Sequence, residues 1–304
     1  MDVAFALPGF EHFLQPVPLA ERGHVVLGHF PNGELHAELD RSVTDRDCVL
    51  VGSLAPPAEQ VQGMLLAADT LKRQGACWVR AILPYLGYMR QDRLEPGRSR
   101  AAAWVGAMLA ASGVDEVVTV DVHSAEGLEL IELPIASLSP APLFARVLDG
   151  DVRMDAVVVA PDRGAIGRAG DLSQALGSDA PVAWLEKERS RVGVSHRRVV
   201  GELKEAAIVV DDILDTGDTL VSCCRRLREG GVQEITIVVT HGLFTGEAWR
   251  QLLPLVRTLH TTDSVPDAAA HASEVVHVHS LAPLLEHQIA AGAARPAAAA
   301  KRSA

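Results

Sequence analysis

Aromatic residues are scarce in this 304-residue chain, 4% against 48% hydrophobic content, so Val, Leu, Ile and Ala must fill its interior. Lysine is rarer still. Lys72, Lys187, Lys204 and Lys301 are the whole set, and arginine carries most of the positive charge. The net charge of −11 argues against nucleic acid as a partner, because the protein as a whole repels polyanions. A small anionic substrate stays open, provided its positive charge is supplied locally. No stretch approaches the ~20 apolar residues of a membrane span, which argues against a membrane role. MDVAFALPGFEHF also lacks the basic start of a signal peptide. Cys48, Cys77, Cys223 and Cys224 form no CxxC pair, and the vicinal pair falls inside a helical stretch. Neither a disulfide framework nor a zinc site is expected, and a cytoplasmic protein with reduced thiols fits this usage.

What is present is an alternation of short β-branched runs with amphipathic stretches, which predicts parallel α/β units. Strands are expected at 25–30, 48–52, 77–83, 116–121, 155–160, 207–211 and 234–240. Helices are expected at 58–74, 101–112, 164–176 and 218–229. The proline- and serine-rich stretch 133–142 suggests a domain boundary, giving domains over 1–140 and 141–290. The low-complexity end, 291–304, reads as a disordered tail.

The segment 207–220, AIVVDDILDTGDTL, carries the densest chemistry. An apolar strand ends in Asp211 and Asp212. Asp215, Thr216, Gly217, Asp218 and Thr219 then lead into a helix. A loop running from a strand's carboxyl end into a helix N-terminus offers unpaired N–H groups and a positive dipole end, which suit a phosphate. Thr216 and Thr219 add hydroxyl donors, and Gly217 permits a tight turn. The carboxylates just upstream can accept hydrogen bonds from vicinal sugar hydroxyls. Phosphate at one end and diol at the other describe a pentose phosphate.

This string resembles the phosphoribosyl pyrophosphate loop shared by type I phosphoribosyltransferases and ribose-phosphate pyrophosphokinases. From about residue 5 to 289 the chain is similar to the pyrophosphokinases in particular. The resemblance rests on Phe30-Pro31-Asn32-Gly33-Glu34, Pro84–Arg93, Thr119–His123, Ala160–Gly164, Lys187-Glu188-Arg189, the loop itself, Thr240-His241-Gly242 and Thr262-Asp263-Ser264, in that order. It implies an α/β chain of two type I phosphoribosyltransferase-like domains, each a mainly parallel sheet flanked by helices.

The resemblance also implies an activity: the pyrophosphoryl group of ATP passes to the C1 hydroxyl of ribose 5-phosphate, with Mg²⁺ as cofactor. It assigns adenine to Phe30, Asn32, Gly33 and Glu34, and the triphosphate to Arg90 and Gln91. His123 and Asp162 become metal ligands, with Asp121 either a ligand through water or a structural carboxylate. Lys187 and Arg189 become catalytic, and residues 211–219 hold ribose 5-phosphate. A homo-oligomer is implied, with the 30–34 turn reaching into a neighbouring subunit's ATP site. Without the family, 188–202 reads as a mobile loop or a solvated hairpin, since the stretch is rich in cations and has few apolar anchors.

Three stretches depart from the family pattern. Asp218 stands where a second glycine is usual; a carboxylate beside a bound phosphate is repulsive unless it points away, and capping the helix is the other reading of it. Ser124–Leu128 and the run LEPGRSRAAAW after Arg93 also differ, and the N-terminus looks shortened. A non-catalytic regulatory relative and a phosphoribosyltransferase remain the alternative readings. The first is disfavoured by the retained Lys187, Arg189, His123 and Asp162, the second by the motifs within 1–140.

Overall fold

The structure, a computed structural model, describes residues 3–18, 21–148, 155–177, 182–190 and 193–291, with the side chains of 187–197 outside the description. Residues 292–304, most of the expected tail, also lie outside the described residues. The chain divides into two units, Met1–Leu138 with Leu281–Ala304, and Ser139–Ser280.

The first unit holds β1 (Val3–Ala6), β2 (Arg22–His29), β3 (Leu35–Leu39), β4 (Asp47–Val51), β5 (Trp78–Leu83), β6 (Glu116–Val120) and β7 (Ile135–Leu138). Their spatial order is β3-β2-β1-β4-β5-β6-β7. Every pairing is parallel except the β2–β3 hairpin. Helices α1 (Ala58–Arg73), α2 (Ala101–Ala111) and α3 (Ala125–Leu128) lie in the connections.

The second unit begins with α4 (Ala141–Leu148), β8 (Val157–Ala160), α5 (Ile166–Ala175), β9 (Ala183–Ser190) and β10 (Gly193–Val200). It continues with β11 (Ala206–Leu214), α6 (Asp218–Glu229), β12 (Glu234–Gly242), β13 (Thr258–Thr262) and β14 (Val276–His279). The order β10-β9-β8-β11-β12-β13-β14 repeats the first sheet strand for strand, including the one antiparallel hairpin at its edge.

Both faces of the second sheet are covered at its centre, so β8 and the first five residues of β11 are continuously apolar rather than alternating. Val157, Val159, Ala207 and Val209 enter one core, with α6. Val158, Ala160, Ile208 and Val210 enter the other, with α4 and α5. On α6, Leu220, Cys223, Cys224 and Leu227 form the buried stripe at helical spacing. Arg226 and Arg228 sit in its last turn, where cations complement the dipole.

Helix α7 (Ala282–Ala290) corrects the expected second domain, because it belongs with the first unit. The reason is specific. Arg80 of β5 donates through Nη1 to the Gln288 carbonyl at 3.2 Å and through Nε to Glu116 at 3.0 Å, while Leu285 and Ile289 are buried. The proline- and serine-rich stretch contains β7 and is not all linker. No helix among the described residues is long and apolar enough to cross a membrane.

Candidate active site

In the second unit the expected residues gather at the carboxyl edge of neighbouring strands. β11 runs to Leu214 and so carries both Asp211 and Asp212 within the ladder. Asp212 is buried, and the Asp211 carboxylate accepts its backbone N–H at 3.0 Å. Burial, the adjacent Asp212 and the nearby Asp162 push the Asp211 carboxyl well above its ordinary range, with Arg168 opposing them. Arg168 on α5 stands 3.9 Å from Asp212. It lies 44 positions upstream, and no local pattern marked it.

Asp162 follows β8, the strand beside β11, and one of its oxygens accepts the Gly164 N–H at 2.9 Å. Arg163, next along, stacks on the Trp184 ring at 4.8 Å. Past β11, residues 215–217 turn into α6. Gly217 is its N-cap at φ +89°, and Thr216 donates its hydroxyl to Asp218 Oδ2 at 3.0 Å. Asp218 is therefore the first helical residue and not the cap. The cap position falls to Gly217, which has no side chain to offer.

Thr240, His241 and Gly242 end β12, beside the loop, and Thr262 ends β13. His241 Nδ1 meets Ser264 Oγ at 2.9 Å, and the Thr262 hydroxyl donates to the Thr240 carbonyl at 2.6 Å. Leu243 and Phe244 both donate backbone N–H groups to the Leu214 carbonyl, and Thr245 donates to Asp215. The phosphate-type loop is thus laced to the end of β12.

The segment read as a mobile loop or a solvated hairpin forms the antiparallel pair β9–β10. Main-chain pairing needs few apolar side chains, which is why composition could not decide it. Ala160, the last residue of β8, pairs with Trp184, so β9 continues beyond the sheet edge to Lys187 and Arg189. Lys187 is opposite His196 and Arg189 opposite Val194 in the backbone register, and their side chains lie outside the described ones.

In the first unit, Arg90 and Gln91 are exposed in the turn after β5, while Tyr85, Leu86 and Met89 anchor that turn in the core. Ser99 donates to Gln91 Oε1 at 2.6 Å, and Arg100 to the Asp92 carbonyl at 2.9 Å. The run after Arg93 therefore folds back onto the Arg90 turn. His123, exposed, and Ser124 follow the neighbouring β6. The Asp92 carboxyl is held below its usual range chiefly by the Ser124 hydrogen bond, with Arg93 and His123 adding to it. Tyr88 (φ 68°) and Asp121 (φ 42°) take left-handed backbone just ahead of these residues, a strain that sequence reading did not foresee.

Phe30, Asn32, Gly33 and Glu34 form the exposed tip of the β2–β3 hairpin, with Asn32 Oδ1 accepting the Glu34 N–H at 3.1 Å. Phe30 rests on His36, ring centroids 4.8 Å apart. The tip shares an edge with Arg90 but stands three strand positions away, ~14 Å at ordinary strand spacing. At the first unit's counterpart of the phosphate-type loop, between β4 and α1, the chain reads GSLAPPA, with Pro57 as N-cap. That sequence carries neither the carboxylates nor the threonines of 211–219.

Sequence comparison agrees with this division. The N-terminal domain of ribose phosphate pyrophosphokinase matches residues 19–113, and the phosphoribosyl transferase domain matches 143–250. The ribose-phosphate pyrophosphokinase of Mycoplasma genitalium is 32% identical over 88% of this chain and 83% of its own. That of Chromobacterium violaceum is 32% identical over 86% and 82%. The crystal structure of phosphoribosylpyrophosphate synthetase from Mycobacterium smegmatis superposes with a TM-score of 0.84 at 30% identity, covering 95% of this chain and 98% of that one. With both halves matched and these likenesses spanning most of each chain, the protein belongs to the ribose-phosphate pyrophosphokinase family.

Proposed function

We propose that the chain transfers the β,γ-pyrophosphoryl group of MgATP to the C1 hydroxyl of ribose 5-phosphate, giving 5-phosphoribosyl 1-pyrophosphate and AMP. The observation that carries this reading is the paired Asp211 and Asp212 at the end of β11, leading through Gly217 into the α6 N-terminus. Carboxylates suit the sugar diol, and the N–H groups of the first helical turn suit its phosphate.

The C1 hydroxyl attacks the β-phosphorus. A new O–P bond forms on the C1 oxygen, the bond bridging the α- and β-phosphates breaks, the hydroxyl proton passes to solvent and AMP leaves. Such a transfer asks the protein for alignment and for neutralisation of developing charge. Asp211, Asp212, Asp215, Thr216, Gly217 and Thr219 orient the ribose phosphate. Arg90 and Gln91 take the triphosphate, guanidinium forks matching phosphate oxygens. Lys187 and Arg189, on the part of β9 that outruns β8, are the cations proposed to meet the group in flight. The turn 30–34 is exposed at a hairpin tip, which supports a role in receiving adenine for a second copy of the chain.

The Asp162 carboxylate suits Mg²⁺, a hard ion that prefers oxygen. Asp162 lies near enough to Asp211 to help raise its carboxyl, an accumulation of negative charge that a dication would relieve. Asp162 is the ligand proposed in the second unit and His123 the one proposed in the first, and a bound ion would neutralise phosphate charge.

The test is AMP formation from ATP, Mg²⁺ and ribose 5-phosphate. Wild type should produce AMP, and Lys187→Ala should lose on the order of 10²–10³ in rate with unchanged folding, by analogy with single transition-state donors. Absence of AMP across a range of phosphate concentrations would overturn the reading in favour of a non-catalytic relative.

A further inference from the structure

An anion stands among the donors of the phosphate-type loop. α6 is 12 residues long, and its N-cap, Gly217, makes no side-chain hydrogen bond to the first turn, so ligand or water must satisfy those N–H groups. Of the two hydroxyls beside them, that of Thr216 is turned onto the Asp218 carboxylate at 3.0 Å. Thr216 and Asp218 are both exposed while Gly217 between them is buried. The pair therefore occupies the solvent side of the turn, where an incoming phosphate would arrive.

We propose that Asp218 sets the affinity of this loop for phosphate: its carboxylate closes on Thr216 in the free protein, and must release that hydroxyl before a phosphate can take it. The inference rests on reading 211–219 as the ribose 5-phosphate loop, and deepens it. Two effects act in one direction. A phosphate must compete for the Thr216 donor, and its charge meets a like charge across a short distance. Asp218 touches no reacting atom in this scheme. It is a positioning residue acting through Thr216, so it belongs in KM and not in kcat. Inorganic phosphate, whose hold on the loop has no diol contacts to add, is kept out by the same device.

The experiment uses the full chain carrying Asp218→Asn or Asp218→Gly. Calorimetry would measure the binding of ribose 5-phosphate and of inorganic phosphate at low and high salt, beside steady-state AMP formation. Asp218→Asn should bind both ligands roughly three- to tenfold more tightly, and Asp218→Gly at least as tightly. The gain should shrink at high salt, and KM for ribose 5-phosphate should fall with kcat unchanged. Unsubstituted ribose should show no change. Equal or weaker binding in a folded Asp218→Asn would overturn the proposal. If adjacent glycines loosen Asp218→Gly, Asp218→Asn decides alone. Wild type that neither binds ribose 5-phosphate nor forms AMP would overturn the loop reading itself. Wild type that does both, with no gain in the variants, would sink only the role of Asp218.

Discussion

The hydroxyl of Ser124 donates to the Asp92 carboxylate across 2.5 Å, tying the segment after β6 to the turn after β5. The same oxygen accepts the Gly127 N–H at 2.9 Å, so one residue both caps α3 and braces the Arg90-Gln91 turn. The stretch Ser124–Leu128, which departs from the family pattern, thus acquires a structural role of its own.

Ser124→Ala should raise KM for ATP roughly five- to thirtyfold, the equivalent of about 1–2 kcal/mol for a hydrogen bond to a charged group. Because the native Asp92 carboxyl lies below its ordinary range, its contribution to stability is complete above ~4. That contribution is lost as pH falls through the lowered native value. Melting of wild type and Asp92→Asn should therefore differ at neutral pH and converge in acid. A difference independent of pH would count against the contact.

Asp211 has the opposite sign. Its carboxyl is raised in the native state, so ionising it costs stability as pH climbs from ~4 through the raised value. Asp211→Asn keeps an acceptor for the Asp212 N–H while removing the charge. The variant should melt higher than wild type at neutral and alkaline pH, with the gain vanishing in acid. KM for ribose 5-phosphate should meanwhile rise about tenfold or more, as a charged acceptor for the diol is lost. A variant less stable than wild type at neutral pH would refute this.

Gly217→Ala meets two obstacles. The backbone is left-handed at φ +89°, and a Cβ would fall 2.8 Å from the Trp249 Cα, which cannot yield as a side chain can. A loss on the order of 2–4 kcal/mol is expected, with ribose 5-phosphate binding abolished. Gly231→Ala is the control. Its φ is +93° with nothing within 4 Å of a Cβ, so only the conformational cost of roughly 1–2 kcal/mol should be seen in the melting curve.

A thiol reagent should label the native protein at Cys77, the exposed cysteine, while Cys48, Cys223 and Cys224 stay protected. Burial pushes the Cys224 thiol up to about 12, leaving little thiolate at pH 8. Unfolding in denaturant should expose all four. Rapid native labelling at Cys223 or Cys224 would show that α6 opens.

Much of this architecture was legible in the chain. All seven strands read from β-branched runs coincide with observed strands, and the helices at 58–74, 101–112 and 218–229 are within a residue of α1, α2 and α6. The strands that escaped notice are short or polar. β13 and β14 read TLHTT and VHVH, and histidines break an apolar pattern. Yet His260 is buried, because His279 and Thr258 satisfy its ring nitrogens at 2.9 and 3.2 Å. That compensation links residues on different strands or two apart on one, and no local period announces it.

The sequence by itself determined where backbone could pair and where a phosphate-type loop would open into a helix, since side-chain volume, branching and glycine act on their own residue and its neighbours. Tertiary structure decided what lies beside what. It repeated the same strand order in both units, moved α7 to the first, and carried β9 past its neighbour. It also set Arg168 against Asp212 and Ser124 against Asp92. Those contacts join segments tens of residues apart, and their energies depend on distance and burial, quantities that exist only once the chain has folded.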